Sequence, residues 1–217
     1  MKYSCVIFDL DGTLLNTLGD LAAAVNFALE KKNLSPRTID EVRRFIGNGV
    51  KNLITRALPE GTCEEEILAT LKDFKAYYND HLNVKTVPYE GIAQLMKDLR
   101  AAGVKVGVNS NKYDAALQYL CKAHFDGLYD MALGEREDIP KKPSPAAAER
   151  IMAALECKPE NTAYIGDSGV DIETARNAHV KPISVSWGFR TRDELAESAP
   201  ELIFDSVEEL RQHLFSE

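Results

Sequence analysis

The sequence predicts an α/β fold carrying an all-helical insert, and three observations carry that prediction. Short apolar runs alternate with stretches of helical periodicity along most of the chain. The stretch 17–84 shows helical periodicity alone, with no strand candidate. Polar residues stand directly behind several apolar runs: Asp9 and Asp11, then Ser110 and Asn111, then Asp167. Strands alternating with helices make a mainly parallel sheet covered on both faces, here a Rossmann-like, doubly wound core. The expected division is a core of 1–16 and 85–217 with a helical cap of 17–84.

The elements follow in order. Lys2–Phe8 is the first strand, ending in the apolar run Cys5, Val6, Ile7, Phe8. Leu21, Val25, Ala28 and Leu29 recur at helical spacing, and Ser35-Pro36 breaks that helix. A second apolar stripe is Val50, Leu53, Ile54, Ala57 and Leu58; a third is Ile67, Leu68, Leu71, Phe74 and Tyr78. The segment 87–91 is turn-like, and Ile92–Ala102 is a helix ended by Gly103. Val104, Val106 and Val108 alternate as a strand that runs into Asn109-Ser110-Asn111, and a helix covers about 113–123. A short apolar stretch lies at Leu128–Leu133. Pro143–Leu155 reads as a helix with proline in its first turn. Ala163–Ile165 is a strand ending in Gly166-Asp167, and a helix follows from about 170. Ile183–Ser186 and Leu202–Phe204 are further strands; Val207, Leu210 and Leu214 line a last helix.

Composition narrows the function. Acidic residues outnumber basic ones, 34 to 26, which argues against a nucleic-acid backbone or an anionic membrane as partner. The N-terminal residues show no signal-peptide pattern, and no apolar run approaches the length of a membrane span. Cys5, Cys63, Cys121 and Cys157 are widely spaced, as expected of reduced thiols in a cytoplasmic protein. The four histidines show no metal-ligand spacing.

Ligands of a doubly wound sheet bind beyond the carboxyl ends of its strands. That rim collects Asp9, Asp11, Ser110, Asn111 and Asp167, with Asp171 four positions further on and Lys141-Lys142 nearby. Crowded carboxylates repel, and burying them unpaired is costly. A hard divalent cation relieves the conflict; oxygen ligands from Asp9, Asp167 and a backbone carbonyl suit Mg²⁺. A cation, a lysine and a hydroxyl together favour an anion, with phosphate the natural guest. Taken singly, each piece has an ordinary reading as turn, cap or solvated charge. Their joint order, each at a strand end or helix start, is what points to a site.

D-L-D-G-T-L at 9–14, N-S-N-K at 109–112, K-P-S-P at 142–145 and G-D-S-G-V-D at 166–171 resemble the four motifs of haloacid dehalogenase-like hydrolases. They span nearly the whole chain in the family's order, and the helical insert matches the helical-cap branch. F-I-G-N-G-V at 45–50 and W-G-F-R at 187–190 resemble the phosphoglycolate phosphatases of that branch. The resemblance implies a Mg²⁺-dependent phosphatase of small phosphorylated metabolites. Asp9 is then the nucleophile and Asp11 the general acid and base. Lys142 neutralises the nucleophile and the phosphoryl group. Ser110 and backbone amides near Gly12 and Asn111 hold phosphate oxygens. The metal falls to Asp9, the Asp11 carbonyl and Asp167, with Asp171 as a ligand or one layer behind. Asp11 favours phosphate chemistry over dehalogenation, because a halide leaves without an acid. Asn16 stands where relatives commonly carry aspartate; the expected change is in loop contacts or the hinge into the insert.

Within the insert, Arg44, Asn48, Gly49 and Lys51 lie around a helix start that suits a substrate carboxylate; a solvated helix face is the alternative. Closing the insert over the site would exclude water during the first transfer. Trp187 is expected to pack beside the site. The favoured substrate is 2-phosphoglycolate, acted on by a monomer or homodimer. A phosphosugar mutase or inorganic pyrophosphatase on the same scaffold is the rival enzyme. A non-catalytic regulatory protein could dispense with Asp9, Asp11, Lys142 or Asp167, yet all four are present.

Overall fold

Cys5–Phe8 forms β1, and all four of its residues are buried. Successive strand residues point to opposite faces, so β1 is covered on both sides, as a central parallel strand must be. The structure, a computed structural model, describes residues 2–47 and 49–216. It divides into two compact units, Met1–Leu15 with Pro88–Glu217, and Asn16–Val87. The chain crosses between them along two short strands that pair with each other, β2 (Leu15–Asn16) and, after the second unit, Val87–Pro88.

The second unit is built of α1 (Leu18–Glu30), α2 (Ile39–Phe45), α3 (Val50–Ala57) and α4 (Glu64–His81). Its core is the apolar stripe of each helix: Leu21, Val25 and Leu29, then Val42, then Leu53 and Ile54, then Ile67, Phe74 and Tyr78. Helix α2 is marked by a capping box. The Thr38 hydroxyl accepts the Glu41 N–H at 3.2 Å, and Glu41 accepts the Thr38 N–H at 2.7 Å. Asn16 accepts the Leu18 N–H at 3.3 Å, so the uncharged side chain helps to open α1. One carboxylate is fully buried here. Asp20 takes the N–H groups of Val84, Lys85 and Thr86 at 2.9–3.0 Å and the Thr86 hydroxyl at 2.8 Å, tying the returning segment to α1.

Beyond β3 (Val87–Pro88) the chain alternates: α5 (Ile92–Ala101), β4 (Lys105–Tyr113), α6 (Asp114–Phe125), β5 (Met131–Glu135), α7 (Ala146–Ala154), β6 (Thr162–Gly166), α8 (Gly169–Asn177), β7 (Lys181–Val185), α9 (Arg192–Ala196), β8 (Ile203–Phe204) and α10 (Val207–Phe215). Six strands form one parallel sheet in the order β5-β4-β1-β6-β7-β8. This is the doubly wound class that the alternating pattern predicts. Cys5 and Ile7 of β1 and Tyr164 of β6 pack with Ile151 and Met152 of α7 and Ala175 of α8 in one cluster.

Several element boundaries differ from the sequence reading; the first strand, for one, begins at Cys5 and not at Lys2. The segment read as helix from Pro143 begins only at Ala146. Two prolines lack the N–H a helix needs, and Pro145 disfavours helical geometry at Ser144. Strand β4 continues past Val108 to Tyr113, through a register shift against β5 between Asn109 and Tyr113. The segment at 87–91, read as a turn, opens with the two residues of β3. No helix among the described residues is long and apolar enough to cross a membrane.

Candidate active site

β1 lies between β4 and β6, and strand order reverses around it, which opens a crevice at the carboxyl ends. Phe8 is level with Val108 on one side and Ile165 on the other. Asp9 therefore follows in line with Asn109 and Gly166, and its N–H donates to the Ile165 carbonyl at 2.9 Å. The register alone brings residues 9, 110 and 167 to one rim.

The buried side chains there are Asp9, Ser110, Lys112, Lys142, Asp167 and Asp171. The Lys142 ammonium lies 2.8 Å from Asp9 and 2.7 Å from Asp171. One carboxylate oxygen each of Asp9, Asp167 and Asp171 lies within 4.8 Å of the others. Two of these buried carboxylates thus share one ammonium, and the third, Asp167, lies beside them. Burial pushes the Asp9 carboxyl up to about 7, against the pull of Lys142 and with a further push from Asp171. Burial, with Asp171 and Asp9, raises Asp167 well above the ordinary carboxylate range. For Lys142, burial works against the charge, but Asp171 and Asp9 outweigh it and hold the ammonium well above its usual range.

Such a cluster lacks positive charge, and the donor set fits a hard divalent cation. Two oxygens on one Mg²⁺ stand roughly 3–4 Å apart, given bonds of about 2.1 Å, comparable with the spread of this trio. The carboxylates are not equivalent. Asp171 Oδ1 accepts from Lys142, and its Oδ2 accepts the Ser168 hydroxyl at 2.6 Å and the Ser168 N–H at 3.2 Å. Both of its oxygens thus accept hydrogen bonds from the protein, one of them from Lys142. Asp167 Oδ2 accepts the Phe189 N–H at 2.6 Å. Gly12, at φ +87°, lies so close to Asp167 that any Cβ would collide with the carboxylate.

Asn111 accepts the Lys142 N–H at 2.9 Å and donates to the Lys142 carbonyl at 3.2 Å. Its side chain thereby fixes the backbone that carries the lysine. Ser110 Oγ accepts the Lys112 N–H at 3.2 Å. Trp187 donates to the Thr13 carbonyl at 3.1 Å, inside the loop that follows Asp11. Lys141, in contrast, pairs with Glu135 at 2.7 Å and is largely exposed.

Two residues with a part here went unassigned in the sequence. Lys112 sits inside the quoted N-S-N-K run, and its ammonium reaches Asp11 at 2.9 and 3.1 Å. Tyr164 is an inward residue of β6 whose ring lies 6.0 Å from the Lys142 ammonium. Its alternation marks it as core, and nothing local marks the lysine above it. The candidates in the helical unit have local partners. Arg44, in the last turn of α2, donates to the Asp40 carbonyl at 3.3 Å. Lys51, in the first turn of α3 behind the N-cap Gly49, pairs with Glu64 at 2.5 Å. Asn48 lies outside the described residues.

The fold and rim define a doubly wound α/β enzyme with an acidic, cation-seeking site at the switch point of its sheet. The family model for haloacid dehalogenase-like hydrolases matches residues 6–185, and the chain belongs to that family. It is 34% identical to phosphoglycolate phosphatase 1 of Pseudomonas aeruginosa over 94% of this chain and 77% of the relative. It is 32% identical to the phosphoglycolate phosphatase of Colwellia psychrerythraea, over 94% of each. A crystal structure of a candidate phosphoglycolate phosphatase from Lactobacillus delbrueckii subsp. bulgaricus superposes with a TM-score of 0.96, at 38% identity and full coverage of both chains.

Proposed function

We propose that this hydrolase is a Mg²⁺-dependent phosphatase of small phosphomonoesters, with 2-phosphoglycolate the favoured substrate. The observation that carries the reading is that the two aspartates behind β1 each contact a buried lysine: Asp9 contacts Lys142, which also contacts Asp171, and Asp11 contacts Lys112. The choice of substrate follows the names of the relatives and the size of the molecules they name.

In this reading a carboxylate oxygen of Asp9 attacks phosphorus, and the bond from phosphorus to the ester oxygen breaks. The Asp11 carboxyl gives its proton to the departing alkoxide. An aspartyl-phosphate remains on Asp9. Asp11, now ionised, takes a proton from water, whose oxygen attacks phosphorus as the bond to Asp9 breaks. Inorganic phosphate leaves, Asp9 is restored as a carboxylate, and Asp11 is again protonated. Lys142 balances charge on Asp9 throughout, and Ser110 with the amides around Gly12 and Asn111 hold phosphate oxygens. Asp9, Asp167 and the Asp11 carbonyl would hold Mg²⁺, with Asp171 behind them. When bound, that ion neutralises phosphoryl oxygens and lets the anionic ester approach an anionic nucleophile.

The test is phosphate release from a panel of phosphorylated metabolites with Mg²⁺ present and with a chelator. The reading expects release from 2-phosphoglycolate at the highest kcat/KM and its loss on chelation. Isomer formation without free phosphate would favour the mutase instead.

A further inference from the structure

The mechanism gives both proton transfers to Asp11 and leaves the buried cation beside it without a task. We propose that Lys112 is the positioning residue for Asp11, holding that carboxylate at the rim so that one side chain can serve both transfers. The proposal rests on the reading of Asp9 as nucleophile and Asp11 as acid and base.

The Lys112 side chain is 4% exposed, whereas that of Asp11 is 18% exposed. Burying an ammonium is unfavourable unless it is paired, so the lysine is committed to a partner. That partner is Asp11, with both carboxylate oxygens within 3.1 Å. The aspartate keeps an open edge while its other side is fixed.

The backbone is shaped for this contact. Asn109 is level with Leu133, but Tyr113 is level with Glu135, so β4 spends four steps where β5 spends two. Such a bulge re-aims side chains that would otherwise alternate between faces. Asn111 can then grip the Lys142 backbone while Lys112, the next residue, turns to Asp11. Gly134 on β5 permits the bulge: a Cβ there would stand 2.6 Å from the Lys112 carbonyl and 2.7 Å from Asp114 Cα. Lys142 is no substitute, because its ammonium already contacts Asp9 and Asp171. Without Lys112, Asp11 would face the charge of Asp9, two residues away, without the ammonium that now contacts both of its oxygens.

A double-mutant cycle on the full chain tests this, with excess Mg²⁺ and the alkyl phosphate that the metabolite panel finds most rapidly hydrolysed, whose alkoxide needs a proton to leave. Asp11→Asn should lower kcat by about a hundredfold. Lys112→Met should lower kcat by about tenfold in the wild-type background, with little change in KM, and by less than about twofold in the Asp11→Asn background. Lys112→Arg should recover most of the loss. Circular dichroism and the unfolding midpoint score folding, and Lys112→Gln replaces the methionine variant in the cycle if that one does not fold. Equal losses in both backgrounds, or no loss in the wild type, overturn the role of Lys112 and leave the mechanism standing. Full activity of Asp11→Asn overturns the mechanism and this inference together.

Discussion

Two buried aspartates, one in each unit, are held in opposite ways. Asp20 in the helical unit receives three backbone N–H groups and a hydroxyl, all within 3.0 Å. Asp9 in the sheet unit shares one ammonium with Asp171, and Asp167 stands beside them. Both lie at about the same depth, at 2% and 7% exposure. A carboxylate that serves the fold has donors to match its lone pairs. In the proposed reading, a carboxylate that serves chemistry is left short of positive charge, and the shortfall would recruit a cation and a phosphate. Burial alone does not separate the two kinds; the list of donors does.

Replacing each aspartate is the sharpest way to break that contrast. Asp9→Asn should lower phosphate release by at least about 10⁴-fold, as expected for a lost nucleophile. Its unfolding midpoint should hold or rise, because the change removes one charge from an over-acidic cluster while Lys142 keeps Asp171. A midpoint that fell steeply would make Asp9 a structural residue like Asp20. Asp20→Ala should do the reverse and cost about 2–4 kcal/mol in urea unfolding, since it removes the acceptor of three backbone N–H groups, the buried one of Thr86 among them. A cost near zero would mean that those donors find water instead.

The smallest effect belongs to Asp130, a carboxylate satisfied in the manner of Asp20 but nearer the surface. Burial pushes its carboxyl up, yet the Val106 N–H at 2.8 Å and Arg100 at 2.8 Å outweigh it and hold it below the ordinary range. A depressed carboxyl stabilises the fold fully above its unfolded value, about pH 4. That contribution disappears as pH falls through the lower, folded value. Urea midpoints between pH 2 and 6 should therefore fall less steeply for Asp130→Asn than for the wild type. Parallel curves would remove Asp130 from the acid transition.

The same contrast explains what the sequence could reveal. Asp9, Asp11 and Asp167 were legible because each follows an apolar run, and a parallel sheet aligns the ends of its strands. Asp20 was not, because its donors lie 64–66 residues further along the chain. Lys112 carried a motif position but no role; a lysine after a strand looks solvated until a bulge turns it inward. Helix α2 could have been placed, since Thr38 and Glu41 spell a capping box. The late start of α7 was written in Pro143 and Pro145, which read as helix openers but together keep the segment out of the helix.

The central claim is that the carboxylates of the sheet unit form a site for a divalent cation, and thermal unfolding with and without Mg²⁺ tests it most directly. The account predicts that Mg²⁺ at about a hundred times its dissociation constant raises the wild-type midpoint by roughly 5–10 °C. Asp167→Asn should lose most of that shift and should match or exceed the wild type in metal-free buffer. Equal shifts in both proteins, or no shift in either, would contradict it.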